Sequence, residues 1–343
     1  MAKAGDVTGV PIIDVDPLFG DAAEQRHAAD MAIGRACEEI GFFVAAGRVP
    51  ARFCRPERMA SLFRFFMLPE ATRRKLARKR YVAGNPNRYR GYFPTTDGEV
   101  TFKEGIDIGP EFAEGDPRYP LAHPLIERNA WPDEALLPGW RAAVAGYWDD
   151  MLGLGTRIMH AVARYLGVDE AWFDAHFAAT NSTLRLLRYP VRTARSLEGV
   201  SDRAFVEHRG ERRFVVAAEH VDSGILTLLH QDGVGGLQVR RGEWVDVPPL
   251  AGSMVVNIGG ALQRWSNDRF VATPHRVLGS GEARCSLPFF FEPSVDAVLA
   301  PVPGTGAPRY APIAYGTYLI AAMQRFLETR GVATPQHIEG ATM

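Results

Sequence analysis

His220-Val221-Asp222 sets two metal-binding side chains one residue apart. His275 follows downstream, and Arg284-Cys285-Ser286 comes shortly after it. Two imidazoles and one carboxylate are the ligand set of a mononuclear non-haem Fe(II) facial triad. On a β-strand, residues i and i+2 point to the same face, so His220 and Asp222 can reach one metal while Val221 turns away. His275 then has to arrive from a distant, antiparallel part of the same barrel. Three protein ligands leave an octahedral ion three open positions, enough for a bidentate co-substrate and O2. Arg284 and Ser286 also share a strand face. The planar guanidinium binds a carboxylate through two parallel hydrogen bonds. Taken singly, these residues have plainer readings. His-x-Asp is common, any one of the nine histidines is more simply satisfied or exposed, and Arg284 alone reads as a salt bridge on a barrel rim.

The elements that must hold these groups are legible from patterning. Val10 to Val15 reads as a short strand. Residues 21–40 read as a helix, with Ala29, Ile33, Cys37 and Ile40 at 3–4 spacing and Gly41 as its stop. Phe42-Phe43-Val44 resumes as strand. A second helix is expected from about Arg55 to Phe66 and a third from about Glu70. Pro110 to Pro138 reads as an irregular crossing. The clearest helix covers residues 139–166, with Val144, Trp148, Met151, Ile158, Val162 and Leu166 on one face and Gly167 as its cap. His160 lies close to that face and is read as structural. Thr183 to Tyr189 is a strand that Pro190 terminates. Short strands then recur at Ile225–Leu229, Leu237–Val239, Trp244–Val247, Met254–Ile258, His275–Val277 and Arg284–Phe291. Gly235-Gly236 and Pro248-Pro249 serve as turns between them. Six strands at such intervals define the expected class: α+β with a mainly β core, a double-stranded β-helix (jelly-roll, cupin-like) with N-terminal and supporting helices. The expected organisation is one structural domain. Residues 1–120 form a strand/helix region packed on the barrel, 121–180 a supporting helix region, 181–295 the catalytic core, and 296–343 a C-terminal helix (313–331) and a fraying tail.

Composition narrows the function. The 343 residues are 46% hydrophobic and 23% charged, as in ordinary globular chains. A net charge of −1 leaves no electrostatic footprint for nucleic acid or an anionic membrane. The basic run Arg73-Arg74-Lys75 through Arg80 therefore reads as a solvated helix face. No apolar run is long enough to span a bilayer, and Met1 to Pro11 lacks a signal-peptide layout. Cys37, Cys54 and Cys285 are few, odd in number and scattered. They fit buried thiols in a reducing cytoplasm. The expected partner is a small molecule, and the expected state a monomer or small homo-oligomer.

Several segments near the triad extend the pattern: Thr227-Leu228-Leu229-His230-Gln231-Asp232, Gly235-Gly236-Leu237-Gln238-Val239, Val255-Val256-Asn257-Ile258-Gly259, Ser266-Asn267, His275-Arg276-Val277 and Arg284-x-Ser286. With them the chain resembles the 2-oxoglutarate-dependent Fe(II) oxygenases of the isopenicillin N synthase-like family, over most of its length. The resemblance implies Fe(II) held by His220, Asp222 and His275, with 2-oxoglutarate as co-substrate and O2 as oxidant. It also implies a 2-oxoglutarate anchor of Arg284, Ser286 and Tyr189. Many relatives carry a polar residue where this chain has Leu187, and an acidic one where it has Gly260. The implied reaction is hydroxylation, desaturation or cyclisation of a small-molecule metabolite with release of succinate and CO2. Related halogenases replace the carboxylate ligand with a small residue; Asp222 disfavours that chemistry. Arg88, Arg90 and Tyr92 lie where the family places the pocket mouth. They are candidates for holding a substrate carboxylate or ring, against the alternative of surface arginines. Leu228 (or Leu226), Phe289 and Phe291 are candidates for the pocket wall, against the alternative of core. The stretch from Arg192 to Arg213, with His208 and Arg209, is either a substrate-selecting hairpin or a decorated surface loop. Two other functions stay open. One is a 2-oxoglutarate-independent Fe(II) oxidase of the isopenicillin N synthase type. The other is a non-catalytic jelly-roll metal- or ligand-binding protein.

Overall fold

The computed structural model describes residues 6, 7 and 9–324. The chain begins with β1 (Asp6–Val7), β2 (Val10–Asp14), α1 (Ala23–Glu39) and β3 (Phe42–Ala46). Three short helices follow, α2 (Arg48–Phe53), α3 (Pro56–Phe63) and α4 (Glu70–Arg74), and then β4 (Gly91–Phe93) and β5 (Glu104–Ile108). The long helix α5 (Trp140–Leu166) precedes β6 (Thr183–Tyr189). Next come β7 (Phe205–His208), β8 (Glu211–His220), β9 (Leu226–Gln231), β10 (Leu237–Arg241), β11 (Glu243–Asp246) and β12 (Met254–Ile258). After α6 (Gly260–Trp265) the chain forms β13 (His275–Leu278), β14 (Arg284–Phe291) and finally α7 (Tyr315–Met323). The helix expected over 313–331 is thus present up to Met323. Its remainder, and the tail expected to fray, lie outside the described residues.

Two sheets face each other. The larger has the order β1-β2-β3-β12-β9-β14-β6-β5-β4, and the smaller β11-β10-β13-β8-β7. Among these pairings only β2–β3 is parallel. This is the double-stranded β-helix that the strand spacing predicted. The pleat divides each strand of the large sheet between two environments. One face packs on α1, α3 and α5. There Leu184, Leu186, Val256, Leu287 and Ile258 join Val144, Met151 and Ile158 in the main core. The other face, with Leu187, Tyr189 and Val255, meets Val216, Leu237 and Val277 of the small sheet.

Helix α5 closes on Gly167 in the left-handed conformation (φ 80°), whose N–H reaches Ala163 O and Arg164 O. Its close seat on β14 depends on Gly155. A Cβ there would stand 2.3 Å from the Phe291 ring, so only glycine admits this approach. His160 bonds Asp174 at 2.8 Å, the structural role expected for it.

Candidate active site

The small sheet presents the two histidines as direct antiparallel partners, His275 opposite His220. Further along, Val277 pairs with Ala217, so β8 carries one extra residue between the two pairs. Such a bulge bends a strand and re-aims its side chains. Here it turns the Ala218 carbonyl towards His220 Nδ1, at 2.7 Å. The Thr273 carbonyl stands in the same relation to His275 Nδ1, at 3.3 Å. Each Nδ1–H is thereby occupied as a donor, and each Nε2 is left with its lone pair as a potential ligand atom.

Both Nε2 atoms converge on one carboxylate oxygen. Asp222 Oδ1 lies 3.5 Å from His220 Nε2 and 3.7 Å from His275 Nε2. Asp222 Oδ2 is held elsewhere, by Thr227 Oγ1 at 2.5 Å and Asn257 Nδ2 at 2.8 Å. Thr227 and Asn257 are themselves opposite partners across β9 and β12. One expectation needs correction. Asp222 is not on the strand with His220, because β8 ends at His220. Asp222 sits in the following turn, where its carbonyl accepts from Gly260 N at 2.8 Å. The turn, rather than strand parity, brings the carboxylate to the imidazoles.

The donor atoms lie within 4.8 Å of one another. Protonation suits a metal as well. Burial, then the neighbouring His275, pushes the His220 pKa down to about 4, so the imidazole is neutral near pH 7. Although 28% of the His220 side chain is accessible, that surface faces the cavity. Burial opposes ionisation of Asp222, yet the two imidazoles, Asn257 and Thr227 outweigh it and hold the carboxyl below its ordinary value. Two imidazoles and a carboxylate with one oxygen turned to them fit a divalent ion such as Fe(II).

The three side chains border an inner chamber of about 580 Å³ between the sheets. Its deep wall carries Tyr189, Arg284 and Ser286. Arg284 and Tyr189 are direct partners across β14 and β6, and the guanidinium carbon lies 4.9 Å from the tyrosine ring centre. Arg284 is 3% exposed, and its Nε and Nη1 have no hydrogen-bond partner. A buried, unsatisfied guanidinium is costly unless an anion completes it. Leu187, the departure noted in the sequence, lines the same chamber as an apolar wall.

An outer chamber of about 660 Å³ adjoins the inner one; Lys103, Arg185, His220, Asp222 and Phe290 border both. Its remaining wall includes Tyr89, Thr183, Gly224, Glu292, Leu319 and Met323. None of the six proposed substrate residues lines either chamber. Leu228, Phe289 and Phe291 are fully buried on the opposite face of the sheet. Trp148 of α5 meets Phe289 edge-on at 5.6 Å, and Phe177 stacks on Phe291 at 4.4 Å. The pleat explains this. Arg284 and Ser286 face inward, so Pro288 and Phe290 do too, and Phe289 and Phe291 cannot. Tyr92 is buried with its hydroxyl on Glu104 at 2.6 Å. Arg90 is buried and bonded to Thr183 and to Asn181. Arg88 is exposed, and its N–H donates to Glu127 at 2.8 Å. The same Glu127 carboxylate also takes the N–H groups of Tyr89 and Arg90, so this segment is built to present Tyr89 instead. His208 and Arg209 pair with Asp246 at 3.2 and 2.6 Å beside a separate surface groove. The hairpin β7–β8 extends the small sheet, and neither of these side chains lines a chamber bordering the triad.

Sequence reasoning missed Arg185, Phe290, Thr227 and Asn257, each of which carried a signal. Arg185 shares parity with Tyr189, and Phe290 with Ser286. Thr227 and Asn257 are polar residues inside apolar strands, where burial demands a partner. Lys103 and Tyr89 carried none, since non-local packing alone places them.

Fold and triad together define the class of mononuclear non-haem iron oxygenases. Comparison with known proteins agrees. Residues 187–293 match the 2OG-Fe(II) oxygenase superfamily, and residues 10–134 match the N-terminal region of non-haem dioxygenases in morphine synthesis. The chain is 30% identical to isopenicillin N synthase of Streptomyces clavuligerus over 94% of its own length and 97% of that protein. It is 31% identical to the 2-oxoglutarate-Fe(II) type oxidoreductase hxnY of Emericella nidulans, over 89% of this chain and 87% of that protein. A full-length Neurospora crassa protein, solved by crystallography in complex with alpha-KG, superposes with a TM-score of 0.77 at 27% identity, covering 94% of this chain and 98% of the other. The chain belongs to the 2OG-Fe(II) oxygenase superfamily and is a 2-oxoglutarate-dependent Fe(II) dioxygenase. Among the described residues no helix is long and apolar enough to cross a membrane.

Proposed function

We propose that this enzyme oxidises a C–H bond of a small-molecule metabolite, by hydroxylation, desaturation or ring closure, and releases succinate and CO2. The observation that carries this reading is the buried Arg284 guanidinium. Two of its nitrogens have no hydrogen-bond partner, and its side chain lines the chamber that the His220–Asp222–His275 cluster also borders. His220, Asp222 and His275 would hold Fe(II), which would supply O2 activation coupled to oxidative decarboxylation of the 2-oxo acid.

The protein's own residues do the rest. The Ala218 and Thr273 carbonyls fix both imidazole tautomers, and Thr227 with Asn257 fixes which Asp222 oxygen is free. Arg284, Ser286 and Tyr189 receive the distal carboxylate of 2-oxoglutarate. The apolar inner wall of Leu187, Leu229 and Val277 keeps water from the co-substrate. The substrate lies in the outer chamber, against Phe290. Three free cysteines, two of them buried, support a reducing cytoplasm as the site of action.

Anaerobic addition of Fe(II) and then 2-oxoglutarate is the direct test. A visible charge-transfer band is expected. In Arg284→Leu the 2-oxoglutarate concentration at half-saturation should rise roughly 10–100-fold, because charge-assisted hydrogen bonds contribute about 1.5–3 kcal/mol. An unchanged half-saturation would remove Arg284 from the anchor. Absence of the band in the wild type would favour the 2-oxoglutarate-independent oxidase or a binding protein.

A further inference from the structure

The outer chamber contains one side chain that neither the iron site nor the anchor uses. Glu292 is 5% exposed and lines this chamber, two residues beyond Phe290. Its backbone is locked in place: its N–H donates to Ser182 Oγ at 2.9 Å, and its carbonyl accepts from Thr180 Oγ1 at 2.6 Å. Its carboxyl leans on the Tyr315 hydroxyl of α7 at one side only. The Oε2 atom is buried and has no hydrogen-bond partner. The Oε1 atom sits near Gly224, where an added Cβ would stand 3.3 Å away, and Tyr315 of α7 approaches from the same side.

The nearby cations do not answer it. Arg185 spends its fork on Asp107, with Nε and Nη2 at 2.7 and 2.8 Å. Arg90 is turned to Thr183 and Asn181. A buried carboxyl with an open oxygen at a chamber wall is a recognition group awaiting a ligand. The chamber's charges limit what that ligand is. A carboxylate finds the nearest guanidinium, Arg185, already committed to Asp107. A cation finds no open acid, since Arg185 and Arg78 hold Asp107 and the triad claims Asp222. A neutral polar molecule needs neither.

We propose that Glu292 is the specificity-determining residue of the outer chamber, and that the primary substrate is a small neutral ring compound presenting an amide- or hydroxyl-type donor to Glu292 Oε2 while its ring lies against Phe290. This rests on the oxygenase reading above and deepens it. Burial, chiefly, pushes the Glu292 pKa up to about 8, so the group is a neutral acid at pH 7, able to donate as well as accept. A neutral acid is matched by glutamine and not by leucine.

The test uses the full chain loaded with Fe(II) and 2-oxoglutarate. The probes are small neutral lactams, imides and alcohols, each paired with its N- or O-methylated counterpart, headed by thymine and 1,3-dimethylthymine. Two readouts are followed: the anaerobic shift of the charge-transfer band, and succinate formed above the probe-free rate. In the wild type at least one parent compound should bind more than about tenfold tighter than its methylated partner, since a site built around a hydrogen bond rejects the analogue that lacks it. That ratio should collapse towards one in Glu292→Leu and persist in Glu292→Gln. Glu292→Asp, which withdraws the carboxyl while keeping its polarity, should also lose the ratio and serves if the leucine variant does not fold. No discrimination in any pair, or discrimination that survives in Glu292→Leu or Glu292→Asp, overturns the proposal. A missing band in the wild type would instead sink the oxygenase reading itself.

Discussion

The two faces of β6, β9 and β14 are made by the same backbone and do opposite work. Inward, they present Arg185, Leu187 and Tyr189, then Thr227 and Leu229, then Arg284, Ser286 and Phe290. Outward, they present Leu184 and Leu186, Leu226 and Leu228, and Leu287, Phe289 and Phe291. The inward set includes a cation with open nitrogens, and the outward set is apolar where α5 covers it, with the polar Arg188 and His230 only towards one end. A one-residue step along a strand thus separates ligand binding from stability. Aromatic character does not say which is which, as the neighbours Phe289 and Phe290 demonstrate.

The sharpest break between the faces should come at the metal. Asp222→Ala is expected to lower succinate formation by more than the roughly 10–100-fold typical of groups that merely orient a ligand. Succinate assays at saturating Fe(II) read this directly. Retention of a third of wild-type turnover would mean that Asp222 is not a ligand.

Next in size is a paired substitution across the pleat. Phe289→Ala should cost about 3–5 kcal/mol of stability, the usual loss for a buried aromatic, while the Fe(II)–2-oxoglutarate band keeps its half-saturation. Phe290→Ala should cost less stability and shift which small molecules stimulate turnover. Thermal melts and the band titration separate the two. The reverse pattern would place the aromatics on the wrong faces.

The last test is a pH dependence. Folded Glu292 holds its proton up to about 8, whereas an ordinary glutamate releases it near 4.5. Between those values the folded state binds more protons than the unfolded one, so this group's contribution to stability declines as pH rises. Glutamine has no such decline. The melting temperature of Glu292→Gln minus that of the wild type should therefore grow from pH 5 to pH 8. A flat difference would show that Glu292 is ionised throughout.

Much of this architecture was legible in the sequence, for physical reasons. Strand and helix periods reflect local pleat and pitch, so α1, α5 and the run β9 to β14 were placed within a few residues. The candidate triad and anchor were legible because metal and carboxylate chemistry restrict residue type as well as spacing. Strand parity was applied to Arg284 and Ser286 but not continued to Phe290, which put Phe289 and Phe291 on the wrong face. For His220 and Asp222 parity gave the right neighbours by the wrong route, since a turn positions the carboxylate. Arg90 and Tyr92 were misread because a polar side chain near a pocket mouth gives no sign in sequence of whether buried partners claim it. Glu292 lies just past the end of β14, and its importance depends on α7, whose docking is non-local.

The pairing of Thr227 with Asn257 across β9 and β12 has a consequence for folding. A slip of one position between these strands would set Val256 or Ile258 where Asn257 belongs, and Asp222 would lose a donor that fixes its orientation. Ferrous ion would then bind poorly to any misregistered intermediate and well to the correctly zipped sheet. Supplying the ion during refolding should thus reward the right alignment, which makes the metal a proofreader of the scaffold that holds it.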